Sequence, residues 1–281
     1  VPLYRQERFW KSKGVELNRN TLANWVVRSS KWFEPMCEYL RNTLLQGDIV
    51  HADETEFQVL KEDGRTAAQK SRMWVFCSGK SEEKQLALYR YAPSRSGKVA
   101  SEMLNEFTGY LQTDGYQGYN AVENVTHVGC WAHARRKWAD CLPKNMQTDG
   151  SKAAQALELV KRLFTLEDIF KELPSEERKA KRAEQSKPVL DAYRSLVENI
   201  NGNQGSNLEK AQTYSLNQRK TLDTFLLDGR IEMTNNRDER AVKPFVIGRK
   251  NFLFADTTRG ADASARCYSI IETARMNNLD V

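Results

Sequence analysis

Residues 48–60 read DIVHADETEFQVL, a run in which β-prone residues alternate with polar ones, the pattern of a half-buried strand. One residue is out of keeping with the rest. Asp53 lies in the middle of the run, and Asp is depleted in strands and costly to bury without a partner. Two more strand patterns follow, SRMWVFCSG (71–79) and KQLALYRYAP (84–93), and KEDGRTAAQK (61–70) carries a glycine turn signal between the first two. SGKVASEMLNEFTG (96–109) reads as a helix closed by Gly109. After it come a short strand, YLQTD (110–114), a turn rich in Gly, Tyr and Asn, and another strand, VTHVGC (125–130). WAHARRKWADCL (131–142) is then a helix stopped by Pro143. Three meandering strands followed by strand–helix alternation predict an α/β arrangement with a mixed sheet.

Upstream, residues 4–45 read as helical. YRQERFWKSKG ends on Gly14, a helix-stop residue, and a new helix begins at Asn18 or Asn20, with Leu22, Trp25, Val26 and Trp32 at near-helical spacing. Helix, glycine turn and a second helix opening with Arg19, Asn20, Thr21 and Asn24 resemble a helix-turn-helix, although two packed helices with polar caps also serve as plain scaffold. Downstream, Leu159, Leu163, Leu166 and Phe170, and then Leu190, Tyr193, Val197 and Ile200, mark two amphipathic helices; a third helical stretch runs to about Leu227. These form an all-helical insertion, after which the α/β pattern resumes at GRIEMTNNRDER (229–240) and ends in ASARCYSIIETARMNN (263–278). The expected organisation is a helical segment over 1–45, the α/β core over 46–148, the insertion over 149–227 and the rest of the core over 228–281.

The 281 residues carry 43 Lys and Arg against 37 Asp and Glu, a net +6 that suits a polyanionic partner without demonstrating one. With 40% hydrophobic residues, six Trp, eleven Phe and ten Tyr, a sizeable core can be buried. The five cysteines are odd in number and fall in unrelated contexts, as reduced thiols of a cytoplasmic protein do. No apolar run approaches the ~18 residues of a membrane span, and no secretory signal is present. The chain opens on Val1 and stops in NNLDV just after a helical pattern, and it reads as a fragment of something longer.

Three acids stand out by location: Asp53 inside a strand, Asp114 at the carboxyl end of a strand, and Glu239 on the helix after the insertion. Three convergent carboxylates would repel one another unless a divalent cation joined them. Mg²⁺ accepts carboxylate oxygens and keeps water and substrate phosphate in its other positions. Two such ions stabilise the attacking and leaving oxygens of an in-line phosphoryl displacement.

The segments HADET (51–55), LQTDGYQGYN (111–120), HVGCWAHARRKW (127–138) and the run from TNNRDERAVKPFVIGRKNFLFADT (234–257) into YSIIETA (268–274), with VPLYRQE and RNTLANWV upstream, resemble bacterial transposases of the insertion-sequence-66 family. The resemblance covers nearly the whole chain. It implies a ribonuclease-H-like core interrupted by the helical insertion before its Glu. It also implies an Asp–Asp–Glu site made of Asp53, Asp114 and Glu239, holding Mg²⁺, with Mn²⁺ as substitute and two ions expected. The chain departs from the family pattern at Asp238, where a small residue is usual, so Asp238→Ala is expected to be nearly silent. A Cys-rich N-terminal region and a C-terminal extension of full-length members are missing. The implied function is a DNA transposase that cuts transposon ends and joins their 3′-hydroxyls to target DNA. Two rival readings are an inactive DNA-binding derivative of a transposase and a metal-dependent nuclease that cleaves without joining. The implied partners are transposon-end and target DNA, with room for a homo-oligomer and other element-encoded proteins, in the bacterial cytoplasm at the nucleoid, and no membrane.

Several of these residues also have plainer readings. Asn236-x-x-Glu239 has capping-box spacing, with Asn236 as cap and Glu239 in the first helical turn. Cys130-x-x-His133 is poor support for zinc without a second pair; His133 and Asn236 are expected instead to support the active site. Arg135, Arg136 and Lys137 are either a solvated face or a phosphate track. Arg240, Lys243, Arg249 and Lys250, like Arg19 and Asn20, are expected at DNA. Pro244 is expected to kink or end its helix, sending VIGRKNFLF (246–254) back along the core as an extended arm.

Overall fold

The computed structural model of the chain describes residues 2–143 and 150–281. The boundary expected between residues 148 and 149 therefore lies outside the described residues. In chain order the elements are α1 (Leu3–Ser12), α2 (Arg19–Ser29), α3 (Glu34–Leu45), β1 (Ile49–Lys61), β2 (Lys70–Ser78), β3 (Ala87–Ala92), α4 (Gly97–Met103), β4 (Tyr110–Gln112) and β5 (Thr126–Val128). They continue with α5 (Trp131–Ala139), α6 (Lys152–Phe170), α7 (Ser175–Lys181), a π-helical turn (Arg182–Ser186), α8 (Lys187–Glu198), α9 (Asn207–Asn217) and α10 (Arg219–Asp223). The chain ends with α11 (Asn236–Phe252), β6 (Ala255–Thr257) and α12 (Thr258–Met276). Among the described residues, no helix is long and apolar enough to cross a membrane. The residues cluster into two units: one of the chain up to Gly109, Gln117–Asn124 and Arg237–Val281, the other of Tyr110–Tyr116 and Val125–Asn236.

The first unit carries a mixed sheet. β1 pairs antiparallel with β2, Asp53 opposite Val75 and His51 opposite Cys77, and β2 pairs antiparallel with β3, Val75 opposite Tyr89. On its other side β1 runs parallel to β6, Val59 opposite Ala255. Because side chains alternate between faces, Phe57, Val59, Met73, Val75, Cys77, Tyr89 and Tyr91 share one face, which packs on Ala241, Val242 and Phe245 of α11 and on Ala261 and Ala265 of α12. Phe57 meets Phe245 edge-on with ring centroids 5.0 Å apart, a geometry worth about 0.5–1.5 kcal/mol beyond area burial. The opposite face presents Trp74, whose ring meets Tyr119 edge-on at 5.7 Å. β3 is shielded along its free edge by hydroxyls of α12: the Tyr89 N–H donates to Ser269 Oγ at 2.8 Å, and Thr273 Oγ1 bonds both the N–H and the carbonyl of Ala87 at 3.1 Å.

The second unit joins the parallel pair β4–β5, Leu111 opposite His127, to the helices α5–α10. Its core is aromatic and polar at once. Trp138 Nε1 donates to the Tyr193 hydroxyl at 2.8 Å, which donates to Ser215 Oγ at 2.7 Å, and Trp131 Nε1 donates to the Leu222 carbonyl at 2.9 Å. At the π-helical turn the fully buried Arg182 uses all five of its donors. Nε and Nη2 reach Glu167 at 2.7 Å, while the carbonyls of Phe225, Asp228 and Ile231 accept at 2.6, 2.8 and 2.8 Å.

Five expectations are corrected. Trp25, Val26 and Trp32 do not continue a buried stripe from Leu22; all three are exposed, Trp32 by 81%, because α2 offers only Leu22 to the core. The helix from Gly97 stops at Met103, short of Gly109, and Glu106 turns the chain at φ 76°. The α/β pattern expected to resume at residue 229 resumes only with α11 at Asn236; residues 228–235 form no strand, and the carbonyls of Asp228 and Ile231 are taken by Arg182. α11 runs through Pro244 to Phe252 instead of ending there, since Val242 and Phe245 on either side of the proline are anchored in the core. α11 also starts at Asn236, which makes Asn236 its first residue rather than its cap and brings Asp238, not Glu239, to the third position.

Candidate active site

Asp53 and Glu239 belong to the first unit, Asp114 to the second. Asp53, half-buried, stands on β1 on the sheet face that α11 covers two turns further along, and its Oδ1 accepts the Glu54 N–H at 2.8 Å. Glu54 points to the opposite face. Its side chain is 1% exposed, accepts the Tyr119 hydroxyl at 2.7 Å and pairs with Arg95, so this second acid is fully matched. Burial and then Glu54 hold the Tyr119 phenol far above its ordinary range, which keeps it a donor.

Asp114 closes an Asx turn directly after β4. Its Oδ1 accepts the Tyr116 N–H at 2.8 Å, Gly115 takes φ 89°, and the Asp114 carbonyl accepts the Tyr214 hydroxyl at 3.2 Å. The left-handed backbone at Gly115 favours glycine, and a Cβ there would also displace the Gln218 amide, whose carbon would lie 2.9 Å away.

On α11, Glu239 is half-buried, whereas its neighbour Asp238 is fully buried. Neither carboxylate oxygen of Asp238 has a hydrogen bond of ordinary geometry. Burial first and Asp53 second push the Asp238 carboxyl well above the usual range; the Cys77 thiol, donating to it, acts the other way, and Glu54 and Glu239 add to the rise. Sequence reasoning missed this residue and treated it as a bystander. A signal for it existed: Asp238, Ala241, Val242 and Phe245 are spaced i, i+3, i+4 and i+7, the buried stripe of a helix. Glu54, Tyr119 and Arg95 were also missed, because their partnership joins segments 41 and 65 residues apart.

Among the described residues no group of three or more His, Cys, Asp or Glu side chains is arranged to hold a metal ion. Cys130 is buried and its sulfur accepts the Asn235 N–H at 3.2 Å; His133 is half-buried on α5. The basic residues divide by environment. Arg135 and Arg136 are exposed on α5, Arg135 lying 5.5 Å above the Phe164 ring, and the half-buried Lys137 lies 5.0 Å above Tyr214. Arg240, Lys243 and Lys250 are exposed on α11, while Arg249 turns inward to donate to the Glu56 carbonyl and to Thr55 Oγ1. Arg19 and Asn20 are exposed at the start of α2, where Arg19 pairs with Glu7 at 3.1 Å.

The chain is similar to two proteins of Sinorhizobium fredii (strain NBRC 101917 / NGR234). It is 29% identical to the uncharacterized protein y4qI, over 100% of this chain and 54% of the relative, and 30% identical to the uncharacterized protein y4hP, over 99% of this chain and 54% of the relative. It thus spans about half the length of these relatives. A family model described as "Transposase IS66 family" matches residues 1–263. The chain belongs to the IS66 family of transposases.

Proposed function

We propose that this chain is the catalytic core of a DNA transposase, built on a ribonuclease-H-like scaffold, which cuts transposon ends and joins the freed 3′-hydroxyls to target DNA. The family match over residues 1–263 carries this reading. It is supported by the mixed sheet of the first unit and by the positions of the three motif acids: Asp53 on a sheet strand, Asp114 two residues after the end of one, and Glu239 in the first turns of a helix packed on the sheet.

Asp53, Asp114 and Glu239 are the residues that would hold Mg²⁺ or Mn²⁺. The donors fit such an ion, because carboxylate oxygens are the hard ligands it takes, and both oxygens of the buried Asp238 carboxyl lack an N–H or O–H partner. When bound, the cation supplies an activated water and charge stabilisation at the attacking and leaving oxygens of a phosphodiester. The protein's own residues hold and orient. The Asp114 Asx turn fixes the direction of that carboxylate, and Glu239 reaches from its helix with one methylene more than Asp. Arg240, Lys243 and Lys250 follow on the same helix, with exposed cations that can fix DNA phosphates.

The test uses labelled transposon-end DNA. Glu239→Gln keeps the side-chain shape and removes only the charge, so cleavage and joining should both be abolished while DNA binding and far-UV circular dichroism are retained. An active Glu239→Gln protein would sink the metal role of this acid. Cleavage without joining by the unmodified protein would identify a nuclease instead, and binding without cleavage an inactive derivative.

A further inference from the structure

The acid that sequence reasoning set aside is the one most in need of a partner. Asp238 is fully buried, and neither of its oxygens meets an N–H or O–H group. It sits one turn before Ala241 and Val242 on the stripe that packs against the sheet, and Asp53 lies on that same sheet face, four residues before Phe57 on β1. Glu54, next to Asp53 on β1, faces the opposite side of the sheet. Glu54 is already matched by Arg95 and Tyr119. An uncompensated buried carboxylate is costly, and a second carboxylate beside it raises the cost. The Cys77 thiol is a weak donor beside Asp238, and a proton or a cation would balance the charge in full. A hard divalent cation is commonly held by one or two carboxylates, with water and phosphate oxygens filling its other positions.

We propose that Asp53 and Asp238 form a two-carboxylate site for a divalent cation of the Mg²⁺ or Mn²⁺ class. The inference rests on the metal-dependent reading above and extends it to a ligand that the family motif does not include. It needs no third protein ligand, because water and phosphate oxygens fill the remaining positions of such an ion.

Thermal unfolding and direct Mn²⁺ titration of the intact chain, both carried out without DNA, separate the possibilities. Mn²⁺ alone should raise the melting temperature of the unmodified protein by ligand linkage. Asp238→Asn should be more stable than the unmodified protein in the absence of metal, and should lose most of the Mn²⁺ increment and of the titration signal. Asp53→Asn, a substitution at a half-buried position, should lose the increment in the same way and guards against a folding defect in the first variant. If Asp238→Asn keeps the full increment while Glu239→Gln loses it, the two-carboxylate site is wrong and the motif-based ligand set stands. If the unmodified protein shows neither increment nor titration signal, both fall.

Discussion

Glu54 and Asp53 are adjacent in sequence but meet opposite fates, because successive strand residues face opposite sides of the sheet. Asp53 turns toward α11 and the buried Asp238 carboxyl, whereas Glu54 is buried with its charge met by Arg95 and the Tyr119 hydroxyl. From sequence, Asp53 was conspicuous as an acid in a strand. Glu54 was not, since nothing local announces a hydroxyl 65 residues away. The same limit explains Asp238: its spacing to Ala241, Val242 and Phe245 marked a buried face, but the identity of that face depends on a sheet built far earlier in the chain. Tyr119→Phe tests the matched acid. It removes a donor from a buried carboxylate and should lower stability by about 1–3 kcal/mol in urea unfolding. Arg95 stays in place, so the loss should fall short of what removing the ion pair would cause. An unchanged midpoint would mean that the hydroxyl contributes nothing to holding Glu54.

α6 and α8 were legible because their apolar residues recur at helical spacing, and Leu163, Phe170, Leu190, Tyr193, Val197 and Ile200 are indeed buried. What joins them was not. Within EERKAKRAEQSK (176–187) Arg182 looks like one surface cation among many, yet the π-helical turn carries it inward to Glu167, itself on the buried stripe of α6 between Leu163 and Phe170. Burial raises the Glu167 carboxyl, but its bonds to Arg182 and Arg178 outweigh that and leave it below its ordinary range. A carboxyl depressed in the folded state contributes stability above its unfolded pKa, and that contribution is lost as pH falls through the folded value. Glu167→Gln should therefore cost about 3–5 kcal/mol at neutral pH, the usual result of breaking a buried pair from one side. The difference from the unmodified protein should narrow as pH drops below about 4.5, where the unfolded carboxyl takes up its proton. Urea unfolding followed at several pH values reads both effects; a gap that stays constant down to about pH 3 would show that the pair does not carry it.

For the whole molecule the net charge of +6 says little by itself, because cations serve three different ends in this fold. Arg182 and Arg95 are consumed by buried acids, Arg249 is committed to the Glu56 carbonyl, and Arg136, Arg240, Lys243 and Lys250 remain exposed. Of these three kinds, exposed cations such as the last group are the ones available to a polyanion. Counting Lys and Arg from sequence treats all three alike, so Arg249 looks equivalent to Lys250 although the two point to different environments. The dependence of DNA affinity on salt distinguishes them. Each phosphate that a variant no longer neutralises flattens the slope of log affinity against log salt by up to ~0.9 for duplex DNA. Arg136→Gln and Lys250→Gln should each flatten it and weaken binding on every sequence alike, with no change in melting temperature. Arg249→Gln should leave the slope unchanged and lower the melting temperature, since it leaves backbone and hydroxyl acceptors on β1 unmatched. If Arg249→Gln flattens the slope as much as Lys250→Gln does, its guanidinium must leave β1 to meet the DNA, and the division of cations by burial would not survive.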